Sequence, residues 1–537
     1  MVSARALPMG ERALLLEVDG LDDVVALHAR LESSRPDGVV DLVPAARTVL
    51  VRIDTRMLPL TSARTWALAE AAAADAGARP AGALVELDVV YDGADLTETA
   101  ELLGIRPEEL AHRHAAAEWT VAFTGFAPGF GYLVSPDWPF DVPRLASPRT
   151  RVPAGAIGLA GRFSGAYPRE TPGGWRLIGT TPAPLFDPDA DPPTLLAPGT
   201  RVRLRELAER AGPQRGLSIP PRSQGGRDPL TPVVERGAKG RDETPPDDRG
   251  RLRVVEAGLL ATLQDLGRPG AASVGVAVSG ALDRAALRTA NRLVGNDEGA
   301  TAVEVTMGGF RTIAESDQWF AVTGAWGPVR LDGHDVDPYE AHPWAAGAEL
   351  HLDWFDHGAR AYLAVRGGLD GTVALGSRST DLLAGLGPAA LRAGDEIGVR
   401  DDVAGPVPVA PLAAWGAPHD DELELELAPG PRSDWFAPGA LETLFDAVWT
   451  VSTDADRIGI RLDGPELART RDGELPSEGM VPGAVQVPPT GRPTVLLADG
   501  PVTGGYPVIA VATDAALDLL AQARPGTRVR FRHARPS

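Results

Sequence analysis

Residues 262–295 read TLQDLGRPGAASVGVAVSGALDRAALRTANRLVG, and this stretch decides the fold expected of the second half of the chain. A polar turn over 264–270 precedes an apolar segment over 274–278, which predicts a short strand. From Arg284 onward apolar residues recur at helical spacing, and Gly295 is a typical helix stop. The stretch therefore predicts a strand, a turn and a helix in succession.

The beginning of that helix is a candidate anion site. Ser279 or Asp283 can cap its first turn, and the free backbone N–H groups of a first turn suit a carboxylate or a phosphate. An ordinary capped strand–turn–helix corner explains the same residues equally well. The sequence alone leaves both interpretations open.

Composition limits the classes of function. The chain has 537 residues, which implies several domains, and its 52 basic and 73 acidic residues give a net charge of −21. Such a surface repels nucleic acid and anionic lipid, so we expect neither as a partner. We find no apolar segment of membrane-spanning length and no leader pattern, which predicts a cytoplasmic protein.

Cysteine is absent and lysine is nearly so. The lack of cysteine excludes a thiol nucleophile and cysteine-ligated zinc. Lys239 is the only lysine, and it lies in a segment rich in proline, glycine and charge. We therefore expect no lysine Schiff base, no Walker A loop and no covalently attached biotin in a folded part.

The sequence pattern changes along the chain. Alternating helix and strand patterns predict a small α+β domain over 1–85. Short strands with frequent glycine and proline follow over 86–205 and predict a β-barrel or sandwich. Residues 206–250 have too few apolar residues for a core and are predicted to be a linker. The remainder is again mostly short strands, so the expected fold class is mainly β with α+β.

Three short segments recur in the same order in the two halves, which indicates duplicated barrels. The recurrences pair 152–156 with 481–484, 165–168 with 504–507, and 198–203 with 525–530.

The first half offers isolated candidate residues. His114 suits either an acid–base role or a packed, neutral position. It forms no metal pair with His112, since residues two apart on a helix point in different directions. Arg151 can bind a carboxylate or lock a turn through an ion pair. The segment TPGGW over 171–175 suits either a pocket edge or a tight hairpin.

The second half brings different polar groups together. Gln264, Asp265 and Arg268 place an amide, a carboxylate and a guanidinium close in sequence. Arg378 lies between hydroxyl residues over 376–380, a pattern that suits a phosphate or a carboxylate. No nucleophile–base pair is specified by spacing, so a Ser-His-Asp triad is not supported.

Longer motifs resemble known families. Residues 125–133 (GFAPGFGYL), 148–155 (PRTRVPAG) and 172–175 (PGGW) resemble the B subunit of 5-oxoprolinase, which is also called KipI-like or allophanate hydrolase subunit 1. From about 252 to 531 the chain is similar to the C subunit of 5-oxoprolinase, the KipA-like or biotin-dependent carboxyltransferase family. The matching segments of this second part are 262–270, 278–283, 375–380, 477–479, 483–488 and 503–507.

The resemblance implies a fold and an activity. The fold is a small α+β domain followed by cyclophilin-like β-barrels that are duplicated across two fused halves, with barrels of the C-subunit type over 251–415 and 416–537. The B and C subunits of this family act with a separate A subunit, and together they cleave 5-oxo-L-proline to L-glutamate at the expense of ATP. We accordingly expect ATP with Mg²⁺, an amide or lactam substrate, and a partner that resembles the A subunit. We expect no metal held by side chains, and a homo-oligomer stays open.

The resemblance also implies functional residues. A lactam is a poor electrophile, so its cleavage needs groups that stabilise negative charge and an activating phosphate. The residues assigned to catalysis are Gln264, Asp265, Arg268, Arg378 and His114. The residues assigned to the substrate pocket are Arg151, Pro153, Tyr167, Thr171, Gly173, Gly174 and Trp175 in the first half and Ser279, Asp283, Gln486, Thr503, Gly504, Gly505 and Tyr506 in the second.

Two departures from the family pattern concern substrate identity. Relatives commonly have Gln-Thr-Gly ahead of Tyr167, where this chain reads FSGA, and often Arg-Gln-Thr ahead of Thr503, where it reads GPV. Two other functions therefore stay open. One is a carboxyltransferase of the urea carboxylase type with a separate biotin carrier, and the other is a KipI-like regulator that binds a sensor histidine kinase.

Overall fold

The computed structural model describes residues 2–75, 82–207, 250–409, 416–419, 421–471, 473 and 475–535. The predicted linker, including Lys239, lies almost entirely outside these residues. Within them, no helix is long and apolar enough to cross a membrane. The described chain forms one α+β unit and three β-rich units.

The N-terminal α+β unit packs two helices on a four-stranded antiparallel sheet. Its elements are β1 (Ala4–Pro8), β2 (Ala13–Val18), α1 (Leu21–Ser33), β3 (Val39–Pro44), β4 (Thr48–Ile53) and α2 (Leu60–Ala73). The strand order is β1-β2-β4-β3. Val24, Leu27 and Leu31 are buried on α1, because their spacing of three and four residues places them on one face of the helix.

The next unit, called the first barrel here, is a strongly curled sheet. Its elements are β5 (Leu84–Val89), α3 (Leu96–Leu102), α4 (Pro107–Ala116), β6 (Trp119–Thr124), β7 (Gly131–Val134), β8 (Arg149–Val152), β9 (Ala156–Ala160), β10 (Phe163–Ala166), β11 (Thr171–Gly173), β12 (Arg176–Thr180) and β13 (Arg201–Glu206). Seven strands follow the order β12-β9-β10-β7-β6-β13-β5. A bridge between Val90 and Thr180 links the two ends of this sheet, and β8 pairs with β11 outside it.

The middle unit consists of two sheets around a shared apolar core. Its elements are β14 (Arg251–Ala257), β15 (Leu260–Gln264), a 3₁₀ turn (Ala272–Val274), α5 (Arg284–Leu293), β16 (Ala302–Thr306), β17 (Phe310–Ala314), β18 (Gln318–Trp326), β19 (Val329–Leu331), β20 (His334–Asp335), β21 (His342–Trp344), β22 (Glu349–Leu352), β23 (His357–Val365) and β24 (Glu396–Gly398). The strand orders are β20-β19-β22-β17-β14-β24 and β15-β16-β23-β18-β21.

The last unit, the second barrel, is a closed seven-stranded barrel. Its elements are β25 (Glu422–Pro429), a 3₁₀ turn (Ser433–Trp435), α6 (Ala440–Asp446), β26 (Trp449–Ala455), β27 (Gly459–Asp463), β28 (Glu478–Gly479), β29 (Ala484–Gln486), β30 (Thr494–Leu496), β31 (Thr503–Gly504), β32 (Val508–Ala512), α7 (Asp514–Ala521) and β33 (Arg528–His533). The barrel closes in the order β25-β32-β29-β30-β27-β26-β33, and β28 pairs with β31 outside it.

The two barrels repeat each other strand by strand. β13 runs parallel to β5 and antiparallel to β6, and β33 runs parallel to β25 and antiparallel to β26. Trp119 lies opposite Val202, and Trp449 lies opposite Val529. Each indole N–H donates to the carbonyl five residues earlier, at 2.9 and 3.0 Å. The expected fold class, mainly β with α+β and with related barrels in both halves, is confirmed.

The predicted match of residues 165–168 with residues 504–507 is wrong. Tyr167 follows β10, whereas Tyr506 leads into β32. The segment that leads into the corresponding strand of the first barrel, β12, is the one that contains Trp175. Gly-x-Tyr-Pro occurs at both places because both are turns that favour glycine and proline.

Residues 262–295 fold as expected at their end but not in their middle. α5 stops at Leu293, and Gly295 follows with φ of 75°. The strand expected over 274–278 is wrong, since a 3₁₀ turn ending at Val274 occurs there instead. The Val274 carbonyl accepts a hydrogen bond from the Gly129 N–H of the first barrel (3.0 Å). The segment therefore connects the two halves rather than joining a sheet.

Candidate functional site

The two halves meet at loops that carry the sequence motifs. Gly125, just after β6, packs so closely on β31 that a Cβ at this residue would overlap the Thr503 hydroxyl. Beside it, Thr124 Oγ1 donates to the Ser273 carbonyl at 2.5 Å. The main motif of the first half therefore lies directly against two motifs of the second half.

Two adjoining clefts open where the two halves of the chain meet, a contact region called the joint here. The first cleft, of about 450 Å³, lies between the α+β unit and the second half, and its lining includes Asp41, Arg52, Arg268, Val278, Val481 and Val502. The second cleft, of about 310 Å³, lies between the first barrel and the second half, and its lining includes Phe126, Arg169, Gly275, Asp381, Asp499 and Gly500. Both volumes include space that is open to solvent at the protein surface.

Backbone strain is present around these clefts. Phe126 has φ of 67°, Ser279 has 52° and Leu375 has 51°. Residues other than glycine seldom adopt this left-handed region, and such strain clusters at functional sites. Phe126 lines the second cleft with 45% of its surface exposed, so its backbone presents an apolar ring to the cavity.

Asp265 organises the polar loop beside the clefts. Its Oδ1 accepts hydrogen bonds from the Ser377 and Ser379 hydroxyls at 2.7 and 2.6 Å. The same oxygen accepts the Gly267 N–H, and Oδ2 accepts the Arg378 N–H, both at 2.7 Å. The sequence motifs around 264–268 and 376–380 thus form one structure, in which this carboxylate is fully engaged.

Arg268 is buried in the same place with one nitrogen left over. Its Nη2 donates to the Ser379 carbonyl, and its Nε donates to the Ala374 carbonyl at 3.3 Å. Nη1 has no hydrogen-bond partner among the described residues, and it lies 3.8 Å from Asp381 Oδ2, which also lacks one. Both side chains are fully buried, so each charge compensates for the desolvation of the other.

Gln264 and Asp381 add to this polar region. Gln264 Nε2 donates to Thr262 Oγ1 and to the Thr380 carbonyl, both at 3.0 Å, while its Oε1 has no partner in the described chain. Burial, together with the nearby Asp499 carboxylate, raises the pKa of Asp381 to about 6. Asp381 can therefore hold or release a proton near neutral pH.

Ser279 belongs to a buried ionic network that fixes the wall shared by the clefts. Its hydroxyl donates to Asp499 Oδ1 at 2.6 Å. Arg457 binds Asp499 Oδ2 at 2.8 Å, Glu304 Oε1 at 2.6 Å and the Gly280 carbonyl at 2.6 Å. These side chains join the middle unit to the second barrel and hold the backbone next to residues 500–502.

The beginning of α5 is a capped corner and not an open anion site. Asp283 Oδ1 accepts the Ala286 N–H at 2.8 Å, which confirms the expected cap. The Arg284 N–H donates to Asp518 at 2.9 Å, and Gln522 donates to Asp283 Oδ2 at 2.7 Å. Burial and the Asp518 charge raise the pKa of Asp283 to about 7. Carboxylates of the protein itself thus take the N–H groups, and Asp283 packs against α7.

In the first barrel, the predicted pocket residues split into two groups. Tyr167 and Trp175 are buried in an aromatic cluster around Phe130, with ring centroids 5.0 and 5.3 Å from that residue. A Cβ at Gly173 would lie 2.5 Å from the Tyr167 hydroxyl, so this glycine allows the ring to pack. Thr171 is buried nearby, with a hydroxyl that has no partner in the described residues.

The second group lies on the surface. Arg151 and Pro153 are exposed, and Arg151 binds Glu170 at 2.7 Å. Gly174 is half-buried beside Pro148. Of the two interpretations of Arg151 from the sequence, the ion pair that locks a turn explains its position.

The predicted pocket residues of the second barrel lie behind the joint. Gln486 is buried and donates to the Met480 sulfur at 3.2 Å. A Cβ at Gly504 would lie 2.7 Å from the Gln486 amide nitrogen, and the Gly505 carbonyl accepts the Leu475 N–H at 2.9 Å. Tyr506 is half-buried. These residues support the strand that carries Thr503 rather than line the clefts.

His114 is a packed residue of the first barrel core. Its Nδ1 lies 2.8 Å from the Tyr91 hydroxyl and its Nε2 lies 2.8 Å from Ser164 Oγ. Burial lowers the pKa of His114 to about 3. The residue five positions before the corresponding tryptophan in the second barrel is Leu444. These contacts favour the neutral, structural interpretation of His114.

The residues assigned to ATP and Mg²⁺ do not fit a metal–nucleotide complex. Both oxygens of Asp265 are engaged, and Arg268 is enclosed by protein. Arg378 donates its Nε to Asp370 at 3.1 Å, away from the clefts' lining. Over the described ranges, no group of three or more histidine, aspartate or glutamate side chains is arranged to hold a metal ion.

Sequence reasoning missed four residues of this region. Asp381 directly follows the motif that contains Arg378, so extending that motif by one residue would have found it. Asp499 similarly precedes residues 500–502, where the sequence departs from the family pattern. Arg169 and Arg457 act across unit boundaries, and no local pattern indicates such contacts.

Family comparisons cover most of the chain. The family model described as carboxyltransferase domain, subdomain C and D, matches residues 4–196. The model described as carboxyltransferase domain, subdomain A and B, matches residues 274–533.

Curated relatives match the two halves separately. The C subunit of 5-oxoprolinase from Escherichia coli (strain K12) is 40% identical over 287 residues, which are 52% of this chain and 90% of that protein. The B subunit of 5-oxoprolinase from Escherichia coli O157:H7 is 38% identical over 218 residues, which are 38% of this chain and 96% of that protein. Urea amidolyase of Saccharomyces cerevisiae is 30% identical over 52% of this chain but only 16% of its own length.

A solved structure matches the whole arrangement. The crystal structure of TTHA0988 superposes with a TM-score of 0.78 at 35% identity, covering 99% of this chain and 100% of that one. The order and the placement of all four units are therefore shared with an experimentally determined protein.

Proposed function

Because the chain belongs to the carboxyltransferase-domain family that includes the B and C subunits of 5-oxoprolinase, we propose that it is the joined B and C component of an ATP-dependent 5-oxoprolinase. With a separate protein of the A-subunit type it cleaves 5-oxo-L-proline to L-glutamate. The first half of the chain is similar to the B subunit and the second half is similar to the C subunit, which supports this assignment.

The observation that carries the proposal is that both halves line both clefts. Asp41 and Arg52, from the half that resembles the B subunit, face Arg268 in the first cleft. Phe126 of the same half faces Asp381 in the second cleft. A site built from both halves explains why both are retained in one chain.

The second cleft has the features that lactam cleavage requires of a binding site. Phe126 supplies an apolar surface for a five-membered ring, and Arg169 supplies a cation in the same lining. ATP, when bound to the complete enzyme, supplies the phosphate that activates the lactam oxygen, and the polar loop around Asp265 is not its site.

Turnover by the assembled enzyme tests this proposal. The full chain is mixed with a homologue of the A subunit, 5-oxo-L-proline, ATP and Mg²⁺, and glutamate and ADP are measured. We expect both products in equal amounts, and only when both proteins are present. Absence of glutamate with a correctly folded chain and an active A subunit would refute the assignment.

A second candidate is a carboxyltransferase of the urea carboxylase type, which the similarity to urea amidolyase favours. Such a reaction needs biotin on a separate carrier protein, because Lys239 is the only lysine and lies in the predicted linker. Consumption of carboxybiotin that depends on urea, without glutamate formation in the first assay, would select this candidate.

A further inference from the structure

Arg169 crosses from the first barrel into the second half. It follows Pro168 in the connection between β10 and β11, and its Nη2 donates to the Leu383 carbonyl of the middle unit. A Cβ at Gly385 would lie 3.7 Å from its Nη1. Its Nε is buried and has no hydrogen-bond partner in the described part of the chain. The guanidinium therefore lies in the second cleft with donor capacity to spare.

The acidic side chains of the second cleft are already paired with arginines of the protein. Asp381 Oδ1 accepts the Ala384 N–H at 2.7 Å, and Oδ2 lies 3.8 Å from Arg268 Nη1 in an ion pair whose two side chains are fully buried. Asp499, the other acid of the lining, is neutralised by Arg457 at 2.8 Å. The charged group left for a ligand is therefore the Arg169 guanidinium.

The remaining lining cannot bind an anion through side chains. Residues 500–502 read GPV and contribute no side-chain donor. Among the described lining residues, Arg169 is the one cation in the second cleft. Since partial burial lowers the pKa of this guanidinium, with the Asp381 charge opposing the shift, an anionic ligand would compensate for the desolvation.

We propose that Arg169 binds the carboxylate of an amide-bearing acid in the second cleft. This inference deepens the proposed function and rests on it. It makes the charge of the ligand the basis of specificity, because a neutral amide such as urea has no group for Arg169. Arg169 is then the residue that separates the two candidate reactions.

Binding to the full chain tests the role of Arg169 without turnover. Titration calorimetry compares 5-oxo-L-proline with 2-pyrrolidinone, which is the same lactam without the carboxylate, and with urea. We expect the wild-type chain to bind 5-oxo-L-proline about 10- to 100-fold more tightly than either neutral ligand, as a charge-assisted hydrogen bond implies. Arg169→Leu should reduce this preference to within about 2-fold, and Arg169→Lys should keep part of it.

Arg162→Leu is the matched control, because Arg162 is an exposed arginine just ahead of β10. It should leave the preference unchanged, and thermal unfolding should show that all variants are folded. The proposal is overturned if Arg169→Leu keeps the preference, if it weakens both lactams equally, or if the wild-type chain binds no 5-oxo-L-proline. Failed turnover with an intact charge preference would instead refute the proposed reaction and leave this site standing.

Discussion

Replacing Arg457 with methionine should destabilise the contact between the middle unit and the second barrel. The side chains of Arg457, Glu304 and Asp499 are each at most 3% exposed. Methionine keeps most of the apolar stem but leaves Asp499 without its ion-pair partner and Glu304 with only the more distant Arg360, at 3.9 Å. Breaking a buried ion pair in this way costs about 3–5 kcal/mol, so we expect a loss of that size in the free energy of unfolding.

The loss should depend on pH in a definite direction. Burial raises the pKa of Glu304, but Arg457 and Arg360 outweigh this effect, so the pKa in the wild-type chain is lowered. Without Arg457 the folded-state pKa rises above the unfolded value, so the variant regains stability as pH falls through that raised pKa. The gap between wild type and variant should therefore narrow on acidification.

Urea unfolding followed by circular dichroism, with equal m-values required for comparison, measures both effects. Arg461→Ala is the matched control, since Arg461 pairs with Asp454 on the surface of the same barrel, both 64% exposed, and should cost no more than about 1 kcal/mol. Adding Glu304→Gln and Asp499→Asn to Arg457→Met should restore at least half of the loss. The reasoning is refuted if Arg457→Met costs no more than Arg461→Ala, or if the two neutralising changes restore nothing.

Three further predictions concern the barrel core, the joint and the second cleft. His114→Leu places in the first barrel the residue that the second barrel has at the corresponding position, Leu444. It should lower the free energy of unfolding by about 1–3 kcal/mol, because two hydrogen bonds are lost, and it should leave the rate of glutamate formation within about 2-fold. A loss of turnover at unchanged stability would instead indicate a catalytic role. Gly125→Val should weaken lactam binding at least about 10-fold in calorimetry, because the new side chain would overlap Thr503 and displace the walls of the clefts. Unchanged binding would contradict the close contact between Gly125 and Thr503. Asp381→Asn should raise the free energy of unfolding by at most about 3 kcal/mol at pH 8, because the folded-state pKa of Asp381, about 6, lies above the usual value of this acid. The gain should be smaller at pH 4, where the wild-type carboxyl group is protonated. Urea unfolding at both pH values measures the gain, and a gain that grows on acidification would contradict the prediction.

Local patterns in the sequence predicted what depends on neighbours in the chain. The α5 helix, its Asp283 cap and its end before Gly295 follow from helical spacing and capping chemistry. The repeat of PGTRVR predicted two strands, β13 and β33, that occupy the same place in their barrels. Each of these features is decided within about ten residues.

The failures have a common physical cause, which is contact between distant parts of the chain. Residues 274–278 have the composition of a strand, but the first barrel binds the backbone of Val274 and prevents sheet pairing. His114 has the chemistry of a catalyst, but Tyr91 and Ser164 enclose it. Arg169 and Arg457 look like ordinary surface arginines until the units are assembled, because nothing within their own segments indicates the partner.

The most direct test of a ligand site shared by both halves is a crystal structure of the full chain grown with 5-oxo-L-proline. We predict the lactam in the second cleft, with its ring against Phe126 and its carboxylate on Arg169. The lactam bound within one barrel alone, or at a surface that involves only one half, would contradict the account.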